Sequence, residues 1–175
     1  MLLNLAKLLL EDGKTLECSV EPELNEINFR MGRFKVVEKQ PLQLRIVNLG
    51  NKEVGITGTT ELTFEIPCGR CLQLVRYSMP LELERTADMK LSEEELEEVL
   101  EEKCFFVGEQ LDPEILLYNE ILVNWPIRVL CKEDCKGICS HCGANLNNTT
   151  CNCDQEPKDP RMAAIQDIFS KFKEV

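Results

Sequence analysis

A chain of 175 residues with 43% hydrophobic and 29% charged content can bury one sizeable core and a small satellite, and its composition argues against wholesale disorder. The net charge of −11 is not spread evenly. Residues 82–120 hold 14 acidic and 3 basic side chains, a balance of −11, so the remainder of the chain is neutral. That is a poor footprint for nucleic acid, which needs clustered lysine and arginine, and it suits a basic partner or a plainly solvated helix face.

The longest apolar run is Met1 to Leu10, interrupted by Asn4 and Lys7. No basic region precedes it and no small-residue cleavage site follows it. It is also too short to cross a bilayer. The expectation is an amphipathic helix packed on the domain in a cytoplasmic protein, ended by the turn residues Glu11-Asp12-Gly13-Lys14. Short strands are expected up to about Lys39. The hydrophobic period then becomes two, with Leu42, Leu44 and Ile46 on one face and a turn at Asn48-Leu49-Gly50-Asn51. Val54, Ile56, Leu62, Phe64 and Ile66 continue on one face of a long strand. After the turn Pro67-Cys68-Gly69-Arg70-Cys71, a third strand alternates through Val75, Tyr77, Met79, Leu81 and Leu83. This pattern predicts an antiparallel meander with one apolar face.

Ser92-Glu93-Glu94-Glu95 has the form of a capping box, and the glutamate-rich helix behind it is expected to be exposed. Asp112-Pro113 is a second helix start, with an apolar stripe through Leu111, Ile115, Tyr118, Leu122 and Trp125, closed by Pro126. Asp159-Pro160 repeats that start, with Met162, Ile165, Ile168, Phe169 and Phe172 as the buried face of a last helix. The predicted fold class is therefore α+β, an antiparallel β-meander followed by helices, with a cysteine-rich metal loop before the C-terminal helix. The organisation reads as residues 1–87 (helix and sheet), 88–110 (acidic connection) and 111–175 (helix, cysteine-rich loop, helix), packed as one compact unit.

The ten cysteines would be reduced in the cytoplasm, so their spacing matters more than their number. Cys18 and Cys104 stand alone and read as buried thiols. Cys139-Ser140-His141-Cys142-Gly143 is a knuckle in which two thiolates reach one tetrahedral metal and glycine lets the backbone turn. Cys151-Asn152-Cys153 supplies the matching pair, and Gly137, Gly143 and Asn145-Leu146-Asn147-Asn148 read as flexible loop between ligands. A segment so poor in apolar residues has little to fold around without metal. The expected structural zinc ligands are Cys139, Cys142, Cys151 and Cys153. Cys131 and Cys135 are alternates that could instead join Cys68 and Cys71 in a second site. His141, inside the knuckle, is not assigned as a ligand.

Cys68-Gly69-Arg70-Cys71 also has thioredoxin-type spacing, but strand patterns on both sides put it in a hairpin rather than at a helix N-terminus, where a thiol would be activated. Cys68, Arg70 and Cys71 are instead a possible binding turn, with Arg70 available to phosphate or carboxylate. A single histidine among cysteines offers no Ser/His or Cys/His pairing, and nucleotide-binding fingerprints are missing. No catalytic residue is assigned.

Several of these motifs, in order, resemble one family. Cys68-Gly69-Arg70-Cys71-Leu72 is similar to the C-x-R-C-L turn of the YceD family of large ribosomal RNA accumulation proteins. Asp112-Pro113 with Trp125-Pro126, the run from Cys131 to Cys139, the run from Cys142 to Asn147, Cys151-Asn152-Cys153 and Asp159-Pro160-Arg161-Met162 resemble it as well. The resemblance implies a non-enzymatic accessory role in 23S ribosomal RNA synthesis, processing or stability and in large-subunit assembly. It implies no membrane and no small-molecule substrate. The partner would be ribosomal RNA or a basic ribosomal protein. Two other readings compete: an acidic holder for a basic ribosomal protein, and, from a different class, a thiol oxidoreductase using Cys68 and Cys71.

Overall fold

A computed structural model of the chain describes residues 2–29, 32–88 and 105–153. The expected acidic helix from Ser92, Cys104 and the expected last helix from Asp159 lie outside these residues. The chain divides into two compact units, one of residues 1–69 and 73–131 and the other of residues 70–72 and 132–175.

The larger unit is mostly antiparallel sheet. Its elements are β1 (Leu3–Asn4), α1 (Ala6–Leu9), β2 (Thr15–Val20), β3 (Glu26–Phe29), β4 (Gly32–Lys39), β5 (Leu42–Gly50), β6 (Glu53–Pro67), β7 (Leu74–Asp88), β8 (Phe106–Val107), β9 (Gln110–Leu111) and α2 (Pro113–Val123). The described residues are mostly antiparallel sheet with few helices, which bears out the expected α+β meander in part. The N-terminal run differs from expectation. Leu3–Asn4 pairs with β9, and only Ala6–Leu9 is helical. Four residues are too few to stabilise a helix alone, and this turn is held by its neighbours instead. Asn48, itself buried, donates from Nδ2 to the carbonyls of Leu8 and Glu11 and accepts the Gly50 N–H. Among the described residues no helix is long and apolar enough to cross a membrane.

The main sheet has the order β2-β5-β6-β4-β3, with β7 also paired to β6. β6 is 15 residues long, and its even-numbered positions form the covered face. Val54, Ile56, Leu62, Phe64 and Ile66 are all buried, as are Leu42, Leu44 and Ile46 on β5 and Met79, Leu81 and Leu83 on β7. The expected meander β5-β6-β7 is therefore present. One edge of β6 pairs first with β5, from Gly50↔Glu53 to Gln43↔Thr59, and then with β4, from Lys39↔Leu62 to Lys35↔Glu65. β7 runs along the whole of the other edge. At the changeover, Gln40 N–H donates to the Glu61 carbonyl and Thr60 Oγ1 donates to the Gln40 carbonyl, so both backbone groups of Gln40 are paired with β6.

Asp112 caps α2 as its sequence predicts, accepting the N–H groups of Glu114 and Ile115, with Pro113 in the first turn. The buried face of α2 is rotated from the expected stripe. Leu116, Leu117 and Ile121 are buried, whereas Leu122 is exposed and Ile115 and Tyr118 are only partly covered. Glu120 explains the rotation. It is 5% exposed and accepts Arg85 Nε at 2.6 Å, which ties the helix to β7 through a partly buried charge pair. Trp125, beyond the helix, packs on Phe29, Phe34 and Phe64 at ring-centroid distances of 4.6, 4.9 and 5.2 Å. Cys18 is half-buried rather than buried, on the edge strand β2, and burial pushes its thiol pKa up.

Gly58 faces inward on β6 where a Cβ would meet the Gln43 carbonyl oxygen and Leu44 Cδ2, both at 2.8 Å. Gly58→Ala should therefore destabilise the larger unit by about 1–3 kcal/mol through overpacking. Gly55→Ala, where the new methyl meets only the Leu49 side chain, should cost less than about 1 kcal/mol. Urea unfolding followed by the fluorescence of the single tryptophan checks both. Equal effects would refute the packing account.

Candidate metal centre

The cysteine-rich part of the smaller unit has almost no apolar content, so its order must come from polar contacts. Residues 135–139 run antiparallel to residues 144–147 as a short hairpin with a bridge between Ile138 and Asn145. Cys139 N–H donates to the Ala144 carbonyl at 2.8 Å, Leu146 N–H to the Gly137 carbonyl at 2.9 Å and Gly143 N–H to the Cys139 carbonyl at 2.9 Å. Gly143, at φ 72°, makes the left-handed step that closes the knuckle. Asn145 and Asn147 are the polar staples. The Asn145 carbonyl accepts from Asn148 and Thr149, and its Oδ1 accepts the Asn147 N–H. The Asn145–Asn148 stretch, expected to be a flexible loop, is thus a hydrogen-bonded turn, because asparagine side chains substitute for backbone partners.

This hairpin brings Cys139, Cys142, Cys151 and Cys153 together, with all four sulfurs within 4.8 Å of one another. Tetrahedral coordination at a metal–sulfur distance of about 2.3 Å sets sulfurs about 3.8 Å apart, so the donor set fits a tetrahedral thiophilic ion with little adjustment. The electrostatics agree. Backbone N–H groups of Cys142 and His141, together with the Cys151 thiol, hold the Cys139 thiol down to about 6, which favours its thiolate. Cys153 is pushed up to about 12 by the hydrogen bond it shares with Cys142, by burial and by the nearby Cys139. Four thiols this close cannot all ionise unless a cation joins them. His141 contributes its backbone N–H to Cys139 Sγ at 3.4 Å.

The alternates fall elsewhere. Cys68, buried, and Cys131, exposed, belong to the larger unit, whereas Cys71 and Cys135, both buried, belong to the smaller one. Cys68 Sγ accepts the Cys131 N–H at 3.4 Å, while the Gly69 N–H donates to the Val129 carbonyl. Cys135 Sγ accepts Asn147 Nδ2 at 3.3 Å. Within one unit, Cys139, Cys142, Cys151 and Cys153 form a cluster that could hold a metal ion. No helix starts at Cys68, which lies between β6 and β7, so the activating terminus of a redox CxxC is missing at this pair.

Arg70 is engaged from within. Its Nη1 donates to the carbonyls of Cys135 at 2.8 Å and Glu133 at 3.4 Å. Gly137, at φ 79°, lies so close that a Cβ there would sit 3.2 Å from the Arg70 carbonyl oxygen. The sequence alone leaves Arg70 open to an external anion and reads Asn147 as part of a flexible loop between ligands. The only advance signal was the density of asparagine between two cysteine pairs.

A β-dominated chain with a four-cysteine cluster that could hold a metal ion is the class that fold and site define. The family described as "Large ribosomal RNA subunit accumulation protein YceD" matches residues 56–169, well over half of the chain, and the chain belongs to that family. Among curated relatives, "Large ribosomal RNA subunit accumulation protein YCED homolog 1, chloroplastic" of Arabidopsis thaliana is 39% identical over 76 residues, 42% of this chain and 24% of that protein. An uncharacterised protein of Mycobacterium tuberculosis is 27% identical over 135 residues, 73% of this chain and 61% of that protein. The chain thus spans less than two thirds of either relative. No solved structure matches it.

Metal analysis of chain purified under reducing conditions without chelator tests the centre. Cys139→Ser should lower the content by about one ion per chain, and Cys18→Ser, half-buried on β2, should leave it unchanged. An unaltered content in the first variant would remove Cys139 from the ligand set.

Proposed function

We propose that this chain is a non-enzymatic accessory factor in 23S ribosomal RNA synthesis, processing or stability, acting by binding during large-subunit assembly in the cytoplasm. The observation that carries the reading is the family match, which runs from Ile56 within β6 through β7, α2 and the Cys139, Cys142, Cys151 and Cys153 cluster. Zinc is the ion proposed for Cys139, Cys142, Cys151 and Cys153. Four protein thiolates close the tetrahedron and leave no open position for substrate, the arrangement of a structural site. The proposed partner is ribosomal RNA or a basic ribosomal protein. Affinity capture of the tagged chain from its native host, with RNA and protein identified together, tests this. Recovery of 23S RNA or large-subunit proteins is expected. Capture of neither, with unchanged 23S RNA in cells lacking the chain, would overturn the reading.

A holder for a basic ribosomal protein is the second reading, motivated by the −11 balance of residues 82–120. Several of those carboxylates have internal tasks. Asp112 caps α2, Glu114 accepts the Glu23 N–H, and Glu120 is paired with Arg85. The charge left for a partner therefore centres on residues 82–102. Replacing Glu93, Glu94, Glu97 and Glu98 with glutamine should slow association with a basic partner and flatten its salt dependence, since exposed charges act over about 8 Å at physiological salt. Stopped-flow association at several ionic strengths measures this. If naked ribosomal RNA binds the variant more tightly instead, the holder reading fails.

A further inference from the structure

We propose that Cys142 is a site of modification by a hydroperoxide, that Cys153 captures the oxidised sulfur as a disulfide, and that the cluster then releases its metal. The proposal rests on the metal-binding reading above and concerns residues of the smaller unit alone. The sulfurs of Cys139, Cys142, Cys151 and Cys153 lie within 4.8 Å of one another, but solvent reaches them unequally. Cys139 is 3% exposed, Cys151 and Cys153 are half-buried, and Cys142 is exposed together with its neighbours Ser140, His141 and Gly143. A Cβ built on Gly143 would meet nothing within 4 Å, so the space beside Cys142 is open to a small oxidant. Thiols are oxidised where thiolate character and access coincide. A coordinated thiol is deprotonated outright, so with metal bound all four sulfurs are thiolates and access decides among them. Cys139 is further protected, because its sulfur accepts the His141 N–H at 3.4 Å and the Cys142 N–H. Stabilising a thiolate in this way lowers its nucleophilicity.

The cluster also sets the capture partner. The sulfur of Cys153 is hydrogen-bonded to those of Cys142 and Cys139, and the sulfur of Cys151 to that of Cys139. Cys139 reaches Cys142 as well, but it is the covered sulfur that backbone N–H groups hold. Cys153 is half-buried and lies beside Cys142, which makes it the thiolate free to attack. In the first step the Cys142 thiolate attacks one peroxide oxygen and the O–O bond breaks. The leaving oxygen takes a proton and departs as water or an alcohol. The Cys153 thiolate then attacks the Cys142 sulfenic sulfur, the S–O bond breaks, and the hydroxide lost takes a second proton to become water. Each sulfur gives up one electron and the peroxide gains two. The disulfide leaves only Cys139 and Cys151 as thiolates, where a closed tetrahedral site needs four ligands, so the ion departs.

The test treats the full zinc-loaded chain with hydrogen peroxide while a colorimetric chelator reports free zinc, and alkylation with peptide mass spectrometry maps the disulfides. About one zinc should leave per Cys142–Cys153 disulfide formed, and dithiothreitol with added zinc should restore the metal content. Cys142→His keeps a zinc-competent side chain but removes the exposed sulfur, so this variant should lose that release. The inference is overturned if zinc stays bound under excess peroxide, or if the disulfide that accompanies release joins Cys139 to Cys142 or excludes Cys142. It is overturned equally if Cys142→His yields its zinc as readily as the wild type. A chain without metal before peroxide is added overturns the metal-binding reading as well, whereas a chain that holds zinc and keeps it overturns this inference alone. Disulfide mapping of the wild type decides the matter even if the variant fails to fold.

Discussion

The unbroken antiparallel pairing of β6 with β7, from Glu53↔Asp88 to Pro67↔Leu74, is the constraint on which the larger unit depends. Side chains on a strand alternate with a period of two, so one register fixes which face of every residue is buried. Along β6 the even-numbered positions from Val54 to Ile66 point inward, and the partner edge must accommodate them. β5 and β4 share that edge in succession, which lets one long strand serve two shorter ones. Gly58 marks where the backbone of β5 comes too close for a side chain. The same ladder delivers Cys68 directly after its last pair, so the sheet sets where the first sulfur of the CxxC turn lies.

The smaller unit solves the opposite problem. It lacks the apolar surface to stabilise a fold, and small domains of this kind rely on metal or cross-links. Its described hydrogen bonds come from backbone, asparagine, Thr149 and Arg70 rather than from an apolar core. Sulfur takes the place of a core. The thiols sit close together at some electrostatic cost when protonation states must be shared, and a cation changes that cost into cohesion.

Much of this was legible from the sequence. Strict alternation exposed β5, β6 and β7, and Asp112-Pro113 marked the start of α2, because both signals are local and repeat at a fixed period. The Cys139, Cys142, Cys151 and Cys153 set could be grouped by spacing alone. What escaped was long-range. The hydrophobic run at the N-terminus looked helical, yet Leu3–Asn4 is claimed by β9 more than a hundred positions away. The face of α2 was misjudged because Glu120 counted as a surface charge until Arg85 of β7 appeared beside it. Trp125 was placed in a helical stripe, but the rings it meets come from β3, β4 and β6. No spacing rule reveals an asparagine whose partner is a sulfur twelve residues earlier.

Arg70 carries a consequence of a different sort. A guanidinium usually settles on carboxylates, where its grip weakens as acid neutralises the partner or as dissolved ions crowd around the pair. Here it grips two peptide oxygens, those of Glu133 and Cys135, which have no proton to gain and no formal charge to shield. The fastening at this corner therefore has no acidic partner to lose when carboxylates take up protons. It is also far less sensitive to brine than the surface pairs Arg33–Glu26 and Arg45–Glu17.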